Sequence, residues 1–106
     1  MFARTVRMNL KPNSAAEFTQ TIERETIPVL RKQKGFQDEI TFVTSAQTEA
    51  VGISLWDLKE NADAYGRGAY PEVLKALAKV VEGTPQVQNS EVCNSTFHKI
   101  AAQVAA

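Results

Sequence analysis

From Phe2 to Leu10 the apolar residues Phe2, Val6, Met8 and Leu10 fall on one parity, and Thr5, Arg7 and Asn9 on the other. That period of two predicts a β-strand. The period changes after "KPNS". Ala15, Phe18 and Ile22 recur at helical spacing, Asn13 or Ser14 is placed to cap the helix, and Glu17 completes a capping-box pattern with Ser14. Pro28 removes one backbone donor within this helix and predicts a kink or a restart. Val29 and Leu30 then supply a further apolar contact before Gly35 ends the segment.

Alternation returns over 36–44, around Ile40 and Phe42, and again over 49–57, where Val51, Ile53 and Leu55 oppose Gly52, Ser54 and Trp56. The intervening "SAQTE" predicts a hairpin loop. "KENADAY" predicts a short helix interrupted at Gly66 and Gly68. Pro71 suits the first turn of another helix, whose stripe of Val73, Leu74, Leu77, Val80 and Val81 runs to Gly83. Past "GTPQ" a long and more polar strand is expected over 87–100, and "AAQVAA" is left as a tail.

The order β-α-β-β-α-β predicts an α+β, ferredoxin-like domain over 1–100, with a four-stranded antiparallel sheet and both long helices on one face. Val6, Met8 and Leu10 are expected to share an aliphatic face with Ile40, Phe42, Ile53 and Leu55. The opposite face would hold Trp56, Val43, Phe97 and Cys93. Helices from one chain cover only one face, so a homodimer closed by sheet-to-sheet packing is expected.

Composition narrows the function classes. The 106 residues carry 12 Lys plus Arg and 12 Asp plus Glu, so no general attraction to nucleic acid or anionic lipid is expected. Apolar residues make up 43%, but no run approaches the length of a membrane span, and Arg4 and Arg7 interrupt the N-terminal apolar stretch where a signal peptide would be unbroken. Cys93 is the single cysteine, which suits a cytoplasmic location and is expected to be a small buried hydrophobe. One His, one Cys and scattered carboxylates lack metal-ligand spacing, so no metal site is expected. "GRG" lacks the spacing of a dinucleotide loop.

"IPVLRKQKGF" after an amphipathic helix, followed by "GISLWDLKENADAY", resembles the antibiotic biosynthesis monooxygenase family of dimeric α+β barrels, over roughly 2–98. The resemblance implies a monooxygenase acting on an electron-rich aromatic, a quinol or polyphenol, without metal, haem or flavin. The substrate phenolate would reduce oxygen, and the protein would supply orientation, deprotonation and a dry cavity. The family's aromatic hydroxylase uses a Trp, which matches Trp56. Its Asn position is Gly52 here, its Tyr position is Ala62, and its Arg falls near Lys75. Tyr65, one turn beyond Ala62, offers a replacement hydroxyl. Tyr65 occupies the Trp position of the haem-degrading branch, and Lys75 to Leu77 supply no imidazole, which argues against haem degradation.

Trp56, Tyr65 and Lys75 are therefore the candidate catalytic residues: a cavity wall, a substrate hydrogen bond and stabilisation of a phenolate. Arg7, Asn9, Ser54, Tyr70 and His98 are candidates for substrate binding. Each has a plainer reading. Trp56 packs the core, and Tyr65 and Tyr70 cover a helix break where a flap would otherwise open. Lys75 is solvated, Arg7 and Asn9 pair with Glu39 or Glu91, and His98 is half-exposed rather than a general base. The alternative functions are a non-catalytic dimer that binds a small apolar molecule, favoured by the loss of Asn and Tyr at positions 52 and 62, and degradation of a small carbonyl signal.

Overall fold

The computed structural model describes residues 1–100; the tail at 101–106 lies outside the described residues. Four strands, β1 (Phe2–Leu10), β2 (Phe36–Val43), β3 (Glu49–Trp56) and β4 (Val81–Glu91), form one sheet in the order β2-β3-β1-β4. All neighbouring pairs are antiparallel. One face is covered by a long helical segment between β1 and β2 and by α3 (Lys59–Arg67) and α4 (Tyr70–Leu77).

The first helical segment has three parts: α1 (Ala15–Thr21), a π-helical stretch (Ile22–Thr26) and α2 (Ile27–Arg31). Pro28 sits in the first turn of α2, which is the restart expected of it. Its missing N–H and its ring both disfavour regular α-helix through the preceding turn, and the wider π turn absorbs the misfit. The capping box does not form. Ser14 stands at the N-cap with no side-chain cap bond, and its hydroxyl donates to the Pro12 carbonyl at 3.4 Å.

The register of the sheet corrects the expected faces. Val6 lies opposite Gly52 and Met8 opposite Ala50, so the helix-covered face carries Val6, Met8 and Leu10 together with Ser54 and Trp56. Ile40 pairs with Ile53 and Phe42 with Val51 on the open face, where Ile40 and Phe42 are each 51% exposed. Large residues on one strand meet small ones on the next, and this fills the space beneath the helices; matching aliphatic with aliphatic would have left Gly52 and Ser54 facing solvent.

The end of the chain is also displaced from expectation. Helix α4 stops at Leu77, and Val80 and Val81 enter the core from the turn and from the start of β4. Gly83 (φ +68°) and Pro85 read as breakers, yet both lie within β4, where the pairing with β1 shifts between Arg7 and Asn9. An edge strand tolerates a proline and an irregularity that a central strand would not. The strand ends at Glu91, so Cys93 and Phe97 lie beyond the sheet. Cys93 is exposed and Phe97 is 73% exposed, which corrects the expected burial of both.

Gly35 turns the chain from the helix into β2. Its φ of +81° is left-handed, and a Cβ there would collide with the side chains of Asp57 and Asn61. Its carbonyl accepts from the Asp57 N–H at 2.9 Å, which ties the start of β2 to the end of β3, where Trp56 sits.

Candidate functional site

The site is built from the face of β1 that the helices cover. Arg4 shares the parity of Phe2, Val6 and Met8, so the strand period drives a guanidinium inward, and Arg4 is only 6% exposed. No carboxylate lies within ion-pair range of it among the described residues. Two aromatic rings receive the charge instead: the guanidinium carbon is 4.0 Å from the Tyr70 ring centroid and 5.3 Å from that of Tyr65. Each such contact offsets about 0.5–2 kcal/mol, less than the cost of an uncompensated buried cation.

Arg4 borders a cavity between the sheet and the helices, of which about 50 Å³ admits the centre of a water-sized molecule. Met8, Leu30, Val73 and Leu77 make much of its wall apolar. Residues with polar side chains line it at separate points: Ser54 and Glu39 from the sheet, Thr26 from the π turn, and Tyr65 and Tyr70 from the last two helices. The Tyr70 Oη and the Thr26 Oγ1 are both buried and have no hydrogen-bond partner. Arg4 is near enough to the Tyr70 hydroxyl to favour its ionised form, yet does not meet it in hydrogen-bonding geometry.

Burial pushes the Tyr65 hydroxyl up to about 12, against the opposing pull of the Arg4 charge. Burial raises the Tyr70 hydroxyl too, again opposed by Arg4. Both phenols are therefore protonated near neutral pH and act as donors rather than bases. Glu39 accepts from the Thr41 hydroxyl at 2.7 Å and is the carboxylate among the described cavity-lining residues.

Trp56 is fully buried and stands behind this wall. Its Nε1 donates to the Ser54 Oγ at 2.8 Å, and its ring stacks on Tyr65 with centroids 5.1 Å apart. Phe36 meets it edge-on at 5.6 Å. The indole thus fixes Tyr65 and Ser54, the two neighbours that do reach the cavity. Among the residues singled out from the sequence, Ser54, Tyr65 and Tyr70 come together at one site, with Trp56 in support.

The other candidates lie elsewhere. Lys75 is on the solvent side of α4, paired at 3.2 Å with Glu72, and both side chains are more than 70% exposed (74% and 71%). Arg7 and Asn9 are exposed on the open face because they occupy the opposite parity of β1 from Arg4. Glu39 faces the cavity, so the Arg7 pairing expected with it does not form. His98 follows the last strand and its Nε2 contacts the Asp38 carboxylate, away from the cavity. Arg4, Thr26 and Glu39 are the site residues that sequence reasoning missed. A charge in phase with an apolar stripe was a readable signal for Arg4; nothing comparable marked Thr26.

No family model matches the sequence, and no curated protein matches it significantly. Solved structures do match. A monooxygenase from the gene ActVA-Orf6 of Streptomyces coelicolor, solved with nanaomycin D, aligns with a TM-score of 0.76 at 14% identity over 92% of each chain. A putative antibiotic biosynthesis monooxygenase from Bordetella bronchiseptica aligns at 0.74 and 15% identity, covering 86% of this chain and 95% of that one. The fold is that of the antibiotic biosynthesis monooxygenases. SnoaB, a cofactor-independent oxygenase from Streptomyces nogalater, shares it at 0.72 and 16% identity over 92% of this chain and 97% of its own. A Nitrosomonas europaea protein of unknown function shares it too, at 0.75 and 15% over 92% and 94%.

Proposed function

We propose that this protein is a cofactor-independent monooxygenase acting on an electron-rich phenol, quinol or polyphenol, bound as its anion in the Arg4 cavity. The observation that carries this reading is the buried guanidinium without a carboxylate partner, set beside an apolar cavity. A cation there lowers the pKa of a bound phenol and favours the phenolate, the electron-rich form that reacts with oxygen. Glu39 is placed to take the proton. Tyr65 and Tyr70 donate to the anionic oxygen and orient the ring. The apolar wall keeps bulk water from the reacting carbon.

The electrons come from the substrate. Where a ring CH₂ becomes a carbonyl, one atom of O₂ forms the new C=O bond and the other leaves as water with the two displaced hydrogens. In this reading Arg4 takes the stabilising role expected of Lys75, and Trp56 positions Tyr65 and Ser54. The likeness in fold to SnoaB and to the Streptomyces coelicolor monooxygenase supports the reading. The test is oxygen uptake by metal-free and flavin-free protein on anthrones, quinols and catechols. Uptake above the autoxidation blank, lost in Arg4→Met, is expected; undiminished uptake in that variant overturns the assignment.

One observation favours the second reading, a non-catalytic binder of a small apolar molecule: the cavity is small, with only about 50 Å³ open to the centre of a water-sized molecule. Bound ligand carried through purification, with no uptake on any of these compounds, would decide for it. Under either reading a second copy covers the open face, where Ile40 and Phe42 project beside Val51, Ile53 and Leu55. A cytoplasmic location fits the single exposed Cys93, and no helix among the described residues is long and apolar enough to cross a membrane.

A further inference from the structure

Arg4 on β1 stands directly opposite Ser54 on β3, and Ser54 in turn stands opposite Glu39 on β2, so the three form one row across the covered face of the sheet. The two charges in the row do not neutralise each other. Strand β3 holds their backbones two strand spacings apart, roughly 10 Å, and no ion pair joins the side chains. Glu39 is only half-buried and accepts from the Thr41 hydroxyl instead. Positive charge is therefore left without a counter-ion at the Arg4 end of the row, where burial makes that lack costly.

The donors at that end remain available. Arg4 and Ser54 are 6% and 8% exposed, and both line the cavity. The partnerless oxygens of Tyr70 and Thr26 are sealed off; the guanidinium nitrogens are not among the sealed atoms. The Ser54 Oγ accepts from the Trp56 Nε1 at 2.8 Å, which occupies a lone pair and leaves its O–H free to donate. The volume open to the centre of a water-sized molecule is about 50 Å³, several times the ~10–15 Å³ that one water needs. That space suits an occupant of about three or four heavy atoms.

We propose that Arg4 and Ser54 form a binding site for a small planar oxyanion, of the formate, nitrate or bicarbonate class. The guanidinium fork matches two coplanar oxygens, and the Ser54 hydroxyl adds a further donor. The site follows from the buried charge and the size of the cavity, and it rests neither on an aromatic ligand nor on oxidation. A phenolate drawn to Arg4 would compete with the small anion for the same charge.

The test is saturation-transfer difference NMR on the formate proton, using the full chain, with formamide as the uncharged control of the same shape. Met8, Val73 and Leu77 bring methyl groups to the cavity wall, and irradiating protein methyls should transfer saturation to formate and not to formamide. A dissociation constant on the order of a millimolar is expected, near the limit for so few heavy atoms. Arg4→Met should abolish the transfer, and Ser54→Ala should weaken binding about tenfold. If Arg4→Met does not fold, the wild type decides: the Arg4 Nε–H resonance should move saturably with formate, while that of the exposed Arg7 stays in place. The proposal is overturned if formamide matches formate, if transfer survives loss of the guanidinium, if Ser54→Ala binds as wild type does, or if the Arg4 resonance does not respond. Oxygen uptake separates this site from the oxygenase reading. Arg4-dependent formate binding without uptake on any phenol keeps this inference and removes the oxygenase. Uptake on a phenol without formate transfer does the reverse.

Discussion

The helix-covered face of the sheet buries a cation and leaves two hydroxyls unpaired, whereas the open face presents Ile40 and Phe42 half-exposed to water. Each face is unsatisfied in its own way. The covered face lacks polar partners within a small volume, which calls for a small ligand bearing oxygen. The open face has unburied apolar area spread over strands, which calls for a partner of similar extent. In the proposed reading one sheet of alternating side chains serves a ligand on one side and a second copy on the other, and a shift of one residue in β1 would exchange Arg4 for an open-face residue.

Substitutions can break this division. Trp56→Ala should have the largest effect, about 3–5 kcal/mol of stability by denaturant titration, because it empties space behind Tyr65 and Ser54. A loss under about 1 kcal/mol would mean that the covered face does not depend on the indole. Arg4→Met should weaken binding of phenolates by roughly a hundredfold, the range of a lost charge-assisted bond, with far less effect on stability. Isothermal titration of wild type and variant measures the ratio.

On the open face, Phe42→Lys should change the stability of the folded chain by roughly 0.5 kcal/mol yet convert a dimer to a monomer in light scattering. A wild-type chain that is already monomeric at micromolar concentration would mean that no second copy covers this face. Thr26→Val should raise stability by about 1 kcal/mol, since it removes a hydroxyl that bonds to nothing in the protein; a lower melting temperature would contradict the unpaired state.

The last effect concerns pH. The folded Tyr65 pKa of about 12 lies above the ordinary tyrosine value of 10.0, so the native state retains the proton longer than the unfolded chain. Its contribution is fully present below about 10 and is lost as pH rises toward 12. Melting temperatures of wild type should therefore fall more steeply across that window than those of Tyr65→Phe. Parallel curves would refute the burial of the phenol.

Element order was legible in the sequence because strand and helix periods alternate clearly, and Pro28, Gly35 and Pro71 punctuate them. Pairing between strands was not. Period two separates the two sides of β1 and of β3, but it does not say which sides meet, and the choice between Gly52 and Ile53 as neighbours of the core was settled by packing volume. The same limit hid part of the site. Tyr65, Tyr70 and Ser54 were found through the Trp56 region, while Arg4 was passed over because its parity mattered only once the covered face was known. Lys75 drew attention by its position in the resemblance, though its side chain points to water. The β4 boundaries were missed because Gly83 and Pro85 signal a break in any strand except an edge.

The five-residue turn Ile22–Thr26 also makes the site sensitive to chain length. A π turn is an α-helix holding one residue more than its hydrogen-bond ladder needs. Deleting a single residue there would close the ladder, and everything on one side of the deletion would rotate by about 100° relative to the other. Either α1 or Thr26 would then lose its place against the sheet. A chain of the same fold that lacks this extra residue would present a different side chain at the position of Thr26, so gaps in the first helix, and not only substitutions, would alter this wall of the cavity in related proteins.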